Sequence, residues 1–415
     1  MRVGLKHLVG LALLAVVGGL LVAWSGLVSV AASSGHWAVT GWFLHFTMRQ
    51  AVETQSPEHA APVTLDDPAL VALGAAHYEG GCAPCHGAPG ELQRPIALSM
   101  TPHPPWLAPV IPTWEPQELF WIVQHGVKYS GMPAWPTQHR PDEVWTVVAF
   151  LAQLPGLDAS AYRRLAWGPE ADRPPVAGTT RLGELGAGPL GQTLAGCARC
   201  HRRDGAGREE GGVPIVGGQS EAYLEASLRA YAERHRASGI MQPLAAALGS
   251  DQLAALARHY AAEPWRGSPA TAPADPDLLA RGREIATAGL PTAGVPPCAS
   301  CHGPPARYPR YPRIAGQDAG YLARQVELFR DGVRGGTAFA HLMHAVARGL
   351  TDEDIAAVAL FYGRQAAVRR RRRPLSGARF GSASDLPRRG RRRGRAGRGD
   401  RGRHVAGDHG RPLGG

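Results

Sequence analysis

Cysteine is scarce in this chain: six in 415 residues, too few for a disulfide scaffold at this length. Net charge is scarce too, once the C-terminus is set aside. The segment from Val368 onward holds 16 Arg and 3 Asp, and the rest of the chain sets 29 Lys and Arg against 31 Asp and Glu. A near-neutral body gives no support for nucleic-acid binding. No segment sustains the alternating apolar–polar pattern of a half-buried strand, so the expected fold class is all-α. Methionine is as rare as cysteine, also six, which makes its placement informative. Glycine and proline are plentiful, 53 and 36, alongside 44% hydrophobic residues. That composition predicts two to four domains of short helices joined by long loops.

A long apolar run lies near the N-terminus. Arg2 and Lys6 precede 25 residues, Leu8 to Ala32, without a charged side chain, and about 20 apolar residues suffice for a helix to cross a bilayer core. Positive charge ahead of the run favours a cytoplasmic N-terminus and export of the chain beyond it. A cleaved signal peptide is the competing reading, with small residues for a peptidase at Val30-Ala31-Ala32. The run exceeds the usual signal core, and Trp37, Trp42 and Phe43 come after it like interfacial anchors. Residues 1–35 are therefore expected to be a retained signal-anchor. Under either reading the bulk of the protein works outside the cytoplasm.

All six cysteines fall in three copies of one pentapeptide, C-x-x-C-H: Cys82 to His86, Cys197 to His201 and Cys298 to His302. Around the second and third copies the similarity extends further. The block from Pro214 through Val216, Gly218, Gln219 and Tyr223 to Leu224 matches that from Pro312 through Ile314, Gly316, Gln317 and Tyr321 to Leu322, position for position. Met241 precedes Tyr260 by 19 residues, and Met343 precedes Tyr362 by the same 19. Two units with shared internal spacing are homologous repeats. The first unit diverges but keeps the same order of parts, giving expected domains at 67–158, 176–264 and 276–366.

Each unit opens and closes on a helical pattern. The opening stretches are 69–80, a weaker 182–196, and 275–288. The closing ones are 141–151, starting with Pro and acidic residues, 250–260 with Ser250 as expected N-cap, and 351–362, which reads as a capping box. Proline-bearing segments at 154–180 and 264–276 read as linkers.

C-x-x-C-H is read as a c-type haem attachment site. Two thiols three residues apart on a helical turn each reach a different haem vinyl group, and the adjacent imidazole is held under the iron. Structural zinc and redox dithiols also use C-x-x-C. Three copies in an exported chain, with no cysteine left over, favour haem. Cys82, Cys85, Cys197, Cys200, Cys298 and Cys301 are thus expected to attach three haems c, with His86, His201 and His302 as proximal ligands.

A thioether sulfur is the common second ligand in electron-carrying cytochromes c. Met132, Met241 and Met343 each lie 40–46 residues after a haem histidine and just before a closing helix. A lone Met is usually a gap-filler in an apolar core, but one per unit at a common offset points to distal ligands. Met343 has rivals in the flanking His341 and His344. Met100 and Met48 read as packing or surface, as do His77, His125, His139 and His259. Pro214 and Pro312, with Pro105 in unit one, are placed to offer carbonyls to the second ring nitrogen of each proximal histidine.

From about Asp67 to Gly363 the chain resembles the class I c-type cytochromes, three domains in tandem. Units two and three look like the halves of the dihaem periplasmic cytochromes of the c-four kind. Unit one, with Gly131-Met132-Pro133-Ala134-Trp135, is similar to single-haem domains of respiratory assemblies. The resemblance implies a small helical fold per haem, His/Met ligation and electron delivery to a membrane respiratory complex, often a terminal oxidase. The expectation is a trihaem electron carrier, not an enzyme, anchored in the cell inner membrane by one span with its haem domains on the periplasmic side. Two alternatives remain: the cytochrome subunit of a periplasmic dehydrogenase, and a peroxidase-like haem enzyme.

Two further features carry less. Gly186 to Gly191 fits G-x-G-x-x-G, but no strand precedes it and a proline sits inside it. The segment 368–415 is rich in Arg and Gly, cannot build a core and is expected to be disordered.

Overall fold

Side-chain capping sets where several of the helices begin. The computed structural model describes residues 4–58, 64–171, 190–268, 275–302 and 308–365, and no strand occurs among them. The Arg/Gly-rich tail, the start of the 182–196 stretch and most of the Gly186–Gly191 pattern lie outside the described residues. The chain opens with α1 (Leu5–Trp24), 20 residues with a mean hydropathy of 2.2 and no buried side chain. At 1.5 Å per residue it is long and apolar enough to cross a bilayer. In α2 (Ala38–Gln55) Trp42 and Phe46 stack on each other in the open, while Val52 is buried at the far end. Nearby, the Arg49 guanidinium lies 4.3 Å from the Trp114 ring centre.

Unit one begins with α3 (Pro68–Gly81), where Asp67 accepts a hydrogen bond from the Ala69 N–H at 2.8 Å and Pro68 fills the first helical position. The pentapeptide comes next as a single turn, α4 (Ala83–His86), then a short turn α5 (Pro95–Leu98). Beyond them lie α6 (Pro116–His125), α7 (Pro141–Gln153) and α8 (Ala159–Trp167). Helices α3 and α7 cross at Gly74, where a Cβ would sit 1.9 Å from the Thr146 carbonyl oxygen. Only glycine allows that approach. Around the crossing Tyr78, Phe120, Val144, Val148 and Phe150 form the largest core cluster. Each such side chain contributes roughly 1.5–3 kcal/mol through burial.

Helix α8 corrects the expected linker at 154–180. Proline at 155, 169, 174 and 175 marks that stretch as a break, yet Asp158 caps a helix between them, and Tyr162 and Ala166 are buried against the core. Tyr162 also donates to Glu79 Oε2 at 2.5 Å, tying α8 to α3.

Unit two holds α9 (Leu190–His201), α10 (Glu221–Ala232), α11 (Met241–Ala246) and α12 (Ser250–Ala262). Ser250 is the first helical residue and not the cap: Gly249 takes the cap position, and its N–H donates to Gln252 Oε1. Unit three holds α13 (Pro276–Ala288), α14 (Ala319–Arg330), α15 (Ala340–Ala347) and α16 (Asp352–Gly363). The capping box expected at Thr351 is present, with Thr351 Oγ1 and Asp354 each accepting the other's backbone N–H. Gly282 on α13 meets α16 as Gly74 meets α7, with a Cβ 2.1 Å from the Ala357 oxygen. The opening-on-closing helix crossing therefore recurs at both ends of the repeated region.

Candidate functional site

Each pentapeptide histidine is held in the same way. His86 Nδ1 lies 2.9 Å from the Pro105 oxygen, His201 Nδ1 3.3 Å from the Pro214 oxygen, and His302 Nδ1 3.1 Å from the Pro312 oxygen. A carbonyl only accepts, so Nδ1 carries the proton and Nε2 keeps its lone pair for a metal. Burial lowers all three imidazole pKa values, against the opposing effect of the carbonyl contact, and keeps the rings neutral. These are the contacts expected at Pro105, Pro214 and Pro312. In unit one Gly87, at φ +74°, makes room for them: a Cβ there would sit 2.2 Å from the Trp106 ring.

The cysteines form no disulfide. Burial pushes the Cys82 and Cys197 thiols up to about 12, and raises Cys200 and Cys298 as well. Redox dithiols and metal-thiolate sites need the opposite, a thiolate stabilised near neutral pH. Among the described residues no three His, Cys, Asp or Glu side chains gather as a metal site.

A cavity of about 630 Å³ opens at the second pentapeptide, and Cys197, Cys200, His201 and Met241 all line it. Its wall is mostly apolar, with Leu224 and Tyr260 among the lining residues. Two guanidiniums buried at its edge have no carboxylate paired with them among the described residues. Arg199 is 5% exposed, and its Nη1 lacks a hydrogen-bond partner. Arg236 is 4% exposed and donates to the Tyr321 hydroxyl and the Gln325 amide oxygen, both neutral. Burying a cation without an anion is costly. The residues present therefore fit a flat apolar group with acidic substituents on its edge, which is the chemistry of a haem.

At the first pentapeptide a narrow cleft beside His86 is lined by Tyr78, Trp106, Leu107 and Leu154. The Met100 methyl group packs on Gly131, the neighbour of Met132 in the chain. At the third, the buried Tyr362 hydroxyl has no partner, and Met343 packs on the cluster of Phe329, Ala340 and Ala347. Its rivals are otherwise engaged: His344 Nε2 lies 2.6 Å from the Arg334 oxygen, and His341 is exposed. His259 is likewise tied, to the Arg203 oxygen at 2.9 Å. Of the expected site residues, the structure brings His201 and Met241 to one cavity.

His77 is a packing residue, as expected, but one that carries a shifted pKa. It lines the same cavity, its ring centre 4.8 Å from that of Trp135, and burial with the nearby Arg199 lowers its pKa to about 4. No motif or spacing signals the contacts that unit one makes with the turn ahead of Met241. Glu143 accepts from Ser238 Oγ and the Gly239 N–H, and Arg140 donates to the Ala237 oxygen.

Comparison with known proteins agrees with this chemistry. Residues 69–151 match the family model for cytochrome c oxidase, cbb3-type, subunit III. The chain is 35% identical over 173 residues to a thiosulfate dehydrogenase electron acceptor of Thiomonas intermedia, covering 41% of this chain and 79% of the relative. It is 32% identical to cytochrome c4 of Thiocapsa roseopersicina, over 45% of this chain and 93% of that protein. A solved thiosulfate dehydrogenase from Marichromatium purpuratum superposes on 41% of this chain and 36% of its own length, with 34% identity and a TM-score of 0.38.

Proposed function

Because this chain belongs to the c-type cytochromes and is homologous to the cytochromes c4, we propose that it is a membrane-anchored trihaem carrier that passes electrons from a dehydrogenase towards a terminal oxidase. One observation carries the reading: His201 and Met241 face one apolar cavity that also holds both thiols of their pentapeptide. Haem c bound there supplies a one-electron couple. The chain's own residues do the rest. The thiols would anchor the group, His201 would present Nε2 with Nδ1–H held by Pro214, Met241 would offer its sulfur, and Arg199 and Arg236 would balance acidic substituents.

The same roles fall to Cys82, Cys85, His86 and Met132 in unit one, and to Cys298, Cys301, His302 and Met343 in unit three. One pentapeptide and one proline carbonyl contact per unit support three domains at 67–158, 176–264 and 276–366. A histidine and a methionine would hold each iron, and on that reading the protein carries electrons without making bonds. Helix α1 would hold it in the cell inner membrane, haem domains on the periplasmic side.

Two comparisons bear on the partners. Relatives named as electron acceptors of thiosulfate dehydrogenase favour a dehydrogenase as donor. The oxidase-subunit family model over 69–151 favours an oxidase as acceptor, reached through unit one.

Haem quantitation and redox titration of the purified full chain test this reading. Three haems per polypeptide, none taking up carbon monoxide when reduced, are expected. One or two haems, or an open iron with peroxide turnover, would replace the relay with a different protein.

A further inference from the structure

Gln219 and Gln317 hold matching positions in the repeated block and are 4% and 3% exposed. Both reach out of their own unit. Gln317 Oε1 accepts the Ile215 N–H at 2.8 Å, and its Nε2 donates to the Ile215 oxygen at 3.0 Å. Gln219 does the same to Arg313, accepting its N–H at 2.8 Å and donating to its oxygen at 2.7 Å. Ile215 and Arg313 are themselves equivalent in the repeat, so the two clamps are crossed and reciprocal. A second crossed pair accompanies them: Arg236 donates to the Tyr321 hydroxyl, and Arg334 to the Tyr223 hydroxyl.

The clamped peptide groups are the ones that hold the histidines. The carbonyl of the Pro214–Ile215 peptide receives His201 Nδ1–H, and its N–H goes to Gln317 of the other unit. The carbonyl of the Pro312–Arg313 peptide receives His302 Nδ1–H, and its N–H goes to Gln219. We propose that each of these proximal histidines is tuned from the opposite unit, Gln317 setting the basicity of His201 and Gln219 that of His302. The proposal rests on the haem assignment above.

The physical basis is polarisation along a hydrogen-bond chain. An acceptor on a peptide N–H increases the negative charge on the same peptide's oxygen. A more negative oxygen pulls harder on Nδ1–H, gives the imidazole more anionic character and makes Nε2 a stronger donor to iron. Stronger donation favours the oxidised metal, so each clamp lowers the potential of the haem in the unit opposite to the glutamine. Among the described residues unit one has no such crossing, and its Gln93 donates within the unit to the Cys85 and Pro104 oxygens.

Substituting the glutamines tests the crossing. The full-length protein would be titrated while the resolved NMR signals of each haem's axial ligands are followed. Gln317→Met keeps the volume and loses the acceptor. It should raise the midpoint potential of the haem on His201 and leave those on His302 and His86 in place. Gln219→Met should raise only the haem on His302, and Gln317→Glu, a stronger acceptor, should lower the haem on His201. A shift at the haem of the glutamine's own unit, an equal shift at both, or none in a protein that retains three haems would overturn the proposal. A wild-type protein without haem would instead overturn the cofactor assignment.

Discussion

Glu143 accepts a hydrogen bond from Ser238 Oγ at 2.6 Å, and the same hydroxyl accepts the Met241 backbone N–H at 2.9 Å. Helix α7 of unit one thereby holds the turn that delivers the proposed distal ligand of unit two. Arg140, paired with both Glu143 and Asp142, grips the Ala237 oxygen of that turn. Trp135 packs so closely on Gly239 that a Cβ there would lie 1.9 Å from its Nε1. Trp135 lies three residues after Met132 and Gly239 precedes Met241 by two, so the turns carrying the two proposed sulfur ligands abut.

Glu143→Ala should therefore loosen Met241 without touching it. Losing hydrogen bonds to a buried carboxylate costs about 2 kcal/mol. The sulfur-to-iron charge-transfer absorption of the second haem should weaken, while the first and third keep theirs. An unchanged spectrum in a destabilised protein would make Glu143 a purely structural residue.

His77 predicts a pH dependence of stability. Its pKa is lowered to about 4 in the folded protein, by burial first and Arg199 second, against about 6.5 in the unfolded chain. Between those values the unfolded chain binds the proton more readily, so stability is full above about pH 6.5 and falls as the pH drops towards 4. The loss attributable to this one group is up to roughly 3 kcal/mol. His77→Phe should flatten the denaturant midpoint against pH in that window. A slope identical to that of the wild type would place the effect elsewhere.

Range separates the legible features from the illegible ones. The pentapeptides and the capping box at Thr351–Asp354 are local and readable within a few residues. The carbonyls of Pro214 and Pro312 are readable because the repeat flags them. Helix α8 is not: prolines on both sides outweigh a weak helical signal, and only burial of Tyr162 shows that the segment joins the core. Gln219 and Gln317 are visible as repeated letters, but their partners lie 94 and 102 residues away, and no spacing rule predicts a crossing. Glu143 reads as an acidic residue in a first helical turn. Its contact with Ser238 spans 95 residues.

Arg236 yields a prediction about charge. It is buried with neutral partners, and a haem substituent would be its counter-ion on the proposed reading. Removing a buried cation next to a redox group favours the oxidised state. Arg236→Met should lower the midpoint potential of the second haem and leave the first unmoved. A protein whose three potentials all match the wild type would show that Arg236 answers to the interface alone.

Met343 and His344 separate by what already holds them. His344 Nε2 is committed to the Arg334 oxygen at 2.6 Å, and releasing it would leave a carbonyl short of a donor. The Met343 thioether packs on apolar neighbours. Met343→Ala should turn one of three haems high-spin and open it to carbon monoxide, with the ferrous spectrum reporting about one third of the iron affected. His344→Ala should leave all three low-spin and show itself only as a modest loss of stability, about 1 kcal/mol for one hydrogen bond. The reverse pattern, high-spin iron from the histidine variant alone, would transfer the distal position from sulfur to imidazole.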